Sequence, residues 1–103
     1  MYSLILEKRL VDVQIESFID KKKALEAFKS QALKLNESCL SFEGIDFSSF
    51  EGITDSRYQD LKKTADDKTL TLHIANKGEQ GYVVYKLEDD EGMIFNLSLY
   101  HVL

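Results

Sequence analysis

Residues 69–102 read TLTLHIANKGEQGYVVYKLEDDEGMIFNLSLYHV, and this stretch decides the fold. Three runs within it, at 69–76, 81–87 and 93–102, are rich in the β-branched and aromatic residues that strands favour. The two connections between the runs have the length of hairpin loops, which join antiparallel neighbours. The stretch therefore predicts a three-stranded antiparallel meander.

The N-terminal region predicts two further strands. Residues 2–6 and 10–19 are rich in Leu, Ile, Val and Phe, and the second run alternates apolar with polar residues. Such alternation is typical of a strand with one buried face. The polar interruption at residues 7–9 is either a hairpin turn or the exposed middle of one long, bent strand. We favour the hairpin.

Residues 21–35 have the periodicity of a helix. Leu25, Phe28 and Ala32 recur on one face, and Asp20 stands where an N-cap residue stands. We expect this stripe to pack on one antiparallel sheet. The sheet residues predicted to face it are Val11, Val13 and Ile15, then Leu70, Leu72 and Ile74, and finally Phe95, Leu97 and Leu99.

A second, shorter helix is predicted at residues 57–65. Ser56 and Gln59 have the S-x-x-Q spacing of a capping box, and Tyr58 and Leu61 would lie on one face. The segment before it, up to residue 55, is irregular. It predicts a connection held to the core by apolar residues on either side of glycines.

Together these elements predict an α+β fold with the order ββ-α-loop-α-βββ. A chain of 103 residues has the size of one domain, so we expect residues 1–103 to form a single domain. The composition, 44% apolar and 30% charged, is that of a folded globular protein.

The sequence also favours a cytoplasmic location. Cys39 is the only cysteine, so no disulfide can form within the chain, and a reducing compartment fits. The apolar patch at the N-terminus is too short for a signal peptide or for the roughly 20 residues that span a bilayer. We therefore expect no membrane partner.

The net charge of −5 is unevenly distributed. Residues 1–35 carry seven bases and five acids, whereas residues 36–103 carry six bases and thirteen acids. An acidic body disfavours direct nucleic-acid binding, which needs Lys and Arg opposite the phosphates. It is compatible with a protein partner that has a basic surface.

Four consecutive acids, Glu88, Asp89, Asp90 and Glu91, form the last connection of the meander. A calcium loop of the EF-hand type needs alternating oxygen ligands between two helices, and this stretch lies between two strands. We therefore expect no metal. The stretch predicts a solvated hairpin turn, and its functional alternative is recognition of a basic partner, to which Phe47 in the irregular segment could add an aromatic contact.

No motif in the sequence indicates catalysis. His73 is out of phase with its apolar neighbours, His101 lies near the chain end, and Cys39 lacks the surroundings of a known nucleophile motif. The five glycines are scattered as turn formers and do not form a phosphate-binding loop. We therefore expect no catalytic residue and no cofactor.

These observations predict a non-enzymatic, acidic protein-binding module. One form of such a module is an inhibitor or immunity-type protein that covers a basic surface of its target. An alternative is a small-ligand or anion-binding domain that uses Lys21, Lys22 and Lys23 at the helix N-terminus. A further alternative is a structural subunit that pairs through a sheet edge. The sequence leaves the oligomeric state open.

Overall fold

The protein folds as one six-stranded antiparallel sheet with one helix, in the part of the chain that its computed structural model describes. That part comprises residues 1–9, 13–38, 42, 57–65, 67–76 and 83–101. The elements are β1 (Tyr2–Lys8), β2 (Val13–Phe18), α1 (Lys21–Ser38), β3 (Arg57–Ala65), β4 (Lys68–Asn76), β5 (Val83–Asp89) and β6 (Gly92–His101). The predicted α+β class is confirmed.

The strand order is β2-β1-β6-β5-β4-β3. Strands β3 to β6 form a meander, and β6 then pairs with β1, which joins the meander to the N-terminal strands. The favoured N-terminal hairpin is confirmed, because β1 and β2 pair antiparallel from Tyr2 and Phe18 to Glu7 and Val13. Strand β1 continues to Lys8, two residues beyond its predicted end.

Helix α1 begins where the sequence predicts. The backbone N–H of Lys22 donates to Asp20 Oδ1 over 3.0 Å, which is the hydrogen bond of an N-cap. The helix continues to Ser38, three residues beyond the predicted end. Ala24, Phe28 and Ala32 are buried on its sheet side.

The predicted second helix is wrong: residues 57–65 form strand β3. A helix of nine residues has few internal hydrogen bonds to offset the entropy of nucleation, and a capping-box pattern adds little to it. As a strand, the same segment pairs with β4 along its whole length, from Arg57 with Asn76 to Ala65 with Lys68. The order is therefore ββ-α-ββββ, because sheet pairing outweighs the local signal.

The core lies between the sheet and α1. The residues of β4 and β6 that the sequence predicts to face the helix are all buried there, so the predicted packing of these two strands is confirmed. Phe42, after the helix, belongs to the same cluster. Its backbone N–H donates to Asn36 Oδ1 and its backbone oxygen accepts from Asn36 Nδ2, so the side chain of Asn36 holds this residue beside the helix. The buried sheet residues are Leu4, Leu6, Leu70, Leu72, Ile74, Tyr85, Leu87, Phe95, Leu97 and Leu99.

The prediction that Val13 and Ile15 face the helix is wrong. Val13 is 57% exposed and Ile15 is 67% exposed. The buried residues of β1, Leu4 and Leu6, lie opposite Glu16 and Gln14 of β2. Residues opposite each other in a sheet share a face, so the polar side chains of β2 lie on the helix side and its apolar ones on the other. Val11 lies outside the described residues.

Candidate functional site

The acidic stretch at residues 88–91 lies at the hairpin between the last two strands, as predicted, but its first two residues, Glu88 and Asp89, belong to β5 and not to the turn. Strand β5 ends at Asp89 and β6 begins at Gly92, so Asp90 and Glu91 form the turn. Gly92 has a φ of 118°, a conformation that side chains rarely allow, and a register irregularity lies between Leu87 and Glu88. The tip is therefore a tight turn that presents Asp90 and Glu91 to solvent.

Arg9, just after β1, forms hydrogen bonds with both ends of this turn. Its guanidinium donates to both carboxylate oxygens of Asp89, over 2.6 and 3.1 Å. It also donates to the backbone oxygens of Met93 and Gly92, over 2.9 and 3.0 Å. The backbone N–H of Arg9 donates to Ile94 O over 2.9 Å. We call this set of contacts the Arg9 clamp.

Because of the Arg9 clamp, the four acids of the stretch are not all exposed to solvent. The hydrogen bonds from Arg9 lower the pKa of Asp89, and the backbone N–H of Glu91 lowers it further. The side chain of Asp89 is only 6% exposed, whereas that of Glu91 is 77% exposed and lies 3.8 Å from Arg9. The side chain of Asp89 is therefore largely buried and paired with Arg9, whereas Asp90 and Glu91 are exposed and accessible to a partner.

Glu88 belongs to a different group of side chains, on the sheet face opposite α1. Its two oxygens lie 2.7 Å from Lys86 Nζ and 3.4 Å from His73 Nε2. The hydrogen bond with Lys86 has the largest effect in lowering the pKa of Glu88, and the contact with His73 lowers it further. The other ring nitrogen of His73 lies 2.6 Å from Asp60 Oδ1. We call Asp60, His73, Lys86 and Glu88 the His73 cluster.

The His73 cluster follows directly from the strand register. His73 lies opposite Asp60 on β3 and opposite Lys86 on β5. Asn96 is next in the same row, and its buried Oδ1 has no hydrogen-bond partner within the described part of the chain. A histidine between two carboxylates suits acid–base chemistry, but cross-strand pairs of this kind also stabilise sheets. Sequence reasoning noted only that His73 was out of phase, since its partners depend on register.

The structure does not bring the other predicted site residues that it describes together with these groups. Lys21, Lys22 and Lys23 are exposed at the start of α1, where the carboxylate of Asp20 already accepts a backbone N–H. The ring of His101 stacks on Tyr2 with 4.6 Å between the centroids. Phe47 and Cys39 lie outside the described residues. Within those residues there is no group of three His, Cys, Asp or Glu side chains that could hold a metal ion.

Strand β2 is one edge of the sheet, and no strand of the described chain pairs with its outer side. All its side chains except Phe18 are exposed. Of the five large apolar side chains that are exposed in the described chain, three lie on β2 or just after it, namely Val13, Ile15 and Ile19, and Met1 precedes β1. The fifth, Leu33, is on the helix.

A groove of about 260 Å³ separates α1 from the same hairpin. It is lined by Leu4 and Leu6 of β1, by Gln14, Ile15 and Glu16 of β2, and by Gln31 of α1. The helix therefore leaves the β2 edge uncovered on its own side of the sheet. Among the described residues, no helix is long and apolar enough to cross a bilayer.

The chain was compared with protein families, with curated proteins and with solved structures, and it matches none of them.

Proposed function

We propose that the protein is a non-enzymatic protein-binding module, and that its main binding surface is the β2 edge, where a strand of a partner protein extends the sheet. In this form of recognition, backbone hydrogen bonds supply affinity, and side chains at alternate positions supply specificity. The proposal selects the sheet edge, one of the alternatives left open by the sequence, over the acidic stretch.

The observation that carries the proposal is the contrast between the two edges of the sheet. In soluble proteins, charged side chains, proline or bulges in an edge strand prevent it from pairing with other chains. Strand β3 at the far edge has four charged residues among nine, namely Arg57, Asp60, Lys62 and Lys63. Strand β2 has one charged residue among six, Glu16, and pairs with β1 without a bulge. The chain contains no proline.

The side chains of β2 also suit a specific contact. Val13 and Ile15 project from the face opposite α1, where most of their surface is exposed to solvent. Covering them with a partner would remove apolar surface from water. On the helix side, Gln14 and Glu16 would meet polar or basic side chains of the partner strand. The edge thus has an apolar face for affinity and a polar face for selectivity.

The test uses two variants that replace an exposed apolar residue with lysine. Ile15→Lys places a charge on the β2 edge, and Leu33→Lys places the same charge on the helix. Immobilised wild-type protein and both variants are compared for the proteins that they retain from cell extract. We expect a protein that binds to the wild type and to Leu33→Lys but not to Ile15→Lys. Equal retention by all three would overturn the assignment of the β2 edge.

A second candidate surface is the turn at Asp90 and Glu91, which would contact the basic surface of a target, as an inhibitor or immunity-type protein does. The observation in its favour is the Arg9 clamp, which holds an exposed acidic turn in one shape. A pre-ordered charged loop loses less entropy on binding than a mobile one. Binding through this turn should weaken as the salt concentration rises, because exposed charges are screened.

A further inference from the structure

We infer that the partner of the β2 edge is a second copy of this chain, and that two copies pair β2 with β2 in antiparallel orientation about Ile15. This inference rests on the proposed use of the β2 edge and names its occupant. The two six-stranded sheets would join into one continuous sheet of twelve strands. The symmetry would be a two-fold axis, by far the commonest arrangement for dimers of identical chains.

The first support is the side-chain match that this register produces. With the axis at Ile15, that residue faces its own copy, and Val13 faces Ser17 of the second copy. Gln14 faces Glu16 of the second copy, so that an amide donor meets a carboxylate on each side of the axis. The most exposed apolar residue of the strand is thus covered at the centre of the interface.

The second support is the poor match in the neighbouring registers. An axis at Glu16 would place two glutamates opposite each other, and an axis at Gln14 would leave Glu16 without an opposite residue in β2, which begins at Val13. Like charges directly opposite in a sheet destabilise the pair. Opposite residues must share a face, so a two-fold axis normal to the sheet passes through a residue and not between two. Of these three registers, only the one at Ile15 gives Glu16 a complementary partner within β2.

The third support is the space beside the edge. A two-fold axis normal to the sheet places both helices on the same side of the joined sheet. The groove of about 260 Å³ separates α1 from β2 in each copy. The second copy's Glu16 would therefore approach Gln14 beside this groove, where α1 leaves room. On the opposite face, Ile15 and Val13 of both copies would form one apolar strip.

The first experiment measures self-association by sedimentation velocity over a range of concentrations. We expect the wild type and Leu33→Lys to dimerise with the same dissociation constant. Ile15→Lys brings two lysines together at the axis and should raise that constant more than about tenfold. Val13 and Ile15 are exposed in the single chain, so these substitutions should leave the fold intact, which circular dichroism checks.

The second experiment tests the register. Gln14→Lys should tighten the dimer roughly 2-fold to 30-fold, because two new lysine–Glu16 pairs form, and Gln14→Glu should weaken it. In a Cys39→Ser background, Ile15→Cys should cross-link under mild oxidation, since opposite residues lie about 4.5 to 5.5 Å apart at Cα. Gln14→Cys should not, because residues at position 14 are roughly 8 Å apart in this register.

The outcomes separate this inference from the proposed function. A wild type that stays monomeric up to about 1 mM, well above the affinity of specific complexes, would overturn self-pairing. If a different protein still binds and is lost with Ile15→Lys, the β2 edge remains the binding surface. A dimer that is unaffected by Ile15→Lys would overturn both the register and the edge. A dimer that cross-links through position 14 would overturn the axis at Ile15.

Discussion

At the scale of single residues, Arg9 links two distant parts of the chain. It joins the end of β1 to a turn 80 residues later, through Asp89 and three backbone oxygens. A guanidinium that meets a carboxylate with two parallel hydrogen bonds is a geometrically specific pair. The clamp therefore connects the N-terminal hairpin to the β5–β6 turn, in addition to the pairing of β1 with β6.

Replacing Asp89 with asparagine should lower the melting temperature at neutral pH. The folded chain holds the pKa of Asp89 below its ordinary value, so the ionised carboxylate stabilises the fold at pH values above the unfolded-state pKa. That contribution is lost as pH falls through the folded-state pKa. The difference between wild type and Asp89→Asn should therefore shrink below about pH 4, where ordinary aspartates begin to be protonated. Thermal melts from pH 7 to pH 2 measure it.

The matched control is Asp90→Asn, which removes the same charge from the exposed neighbouring position. It should leave the melting temperature almost unchanged, because solvated surface charges contribute little. Equal effects of the two substitutions at neutral pH would contradict the structural role of Asp89.

A second residue-scale prediction concerns the β3–β4 turn. Ala65 pairs with Lys68, so the connection has two residues, and Asp67 has a φ of 62°. Glycine adopts this conformation without strain, and Asp-Gly is a favoured two-residue hairpin turn. Asp67→Gly should therefore raise the free energy of unfolding by up to about 1 kcal/mol. Lys68→Gly, in the strand, should lower it, and a loss with Asp67→Gly would speak against the turn.

At the scale of elements, α1 is held to the sheet by three fully buried side chains, and three partly buried ones, Leu25, Ala27 and Leu35, pack against the same core. Phe28 lies at the centre of its buried face, with no exposed surface, between Ala24 and Ala32. The two alanines are small, so Phe28 is the largest fully buried side chain of α1.

Phe28→Ala should lower the free energy of unfolding by about 3 to 5 kcal/mol, as expected when a buried ring is replaced by a cavity. Urea denaturation measures this loss. The control, Leu33→Ala, truncates an exposed residue of the same helix and should change stability by less than about 0.5 kcal/mol. A loss below about 1 kcal/mol for Phe28→Ala would contradict the packing of α1 on the sheet.

At the scale of the whole molecule, the net charge of −5 and the exposed acidic turn predict how a basic partner would bind. Asp90→Asn with Glu91→Gln should slow association at low salt and leave the fold intact, since both side chains are exposed and the Arg9–Glu91 pair is a solvated one at 3.8 Å. Glu26→Gln with Glu37→Gln removes the same charge from exposed positions on α1 and serves as control. Binding kinetics at two salt concentrations distinguish them, and equal on-rates would exclude steering by the turn.

Several features were predictable from the sequence because they depend on short-range patterns. The three C-terminal strands, the N-terminal hairpin and helix α1 all show a clear period or a capping residue within a few positions. The burial of Phe28, Leu72 and Leu97 follows from the same periods. The α+β class was therefore determined by the sequence alone, as was the position of the acidic turn between two strands.

Only the tertiary structure decided the features that depend on register. Residues 57–65 form a strand because β4 offers nine paired positions, which no local signal reports. The faces of β2 were assigned by its pairing with Leu4 and Leu6, because its apolar and polar phases could each have faced the helix. The partner of Arg9 lies 80 residues away. Local periodicity determines which segments are strands, but the free energy of burying β1 and β6 against α1 determines which faces and which distant residues meet.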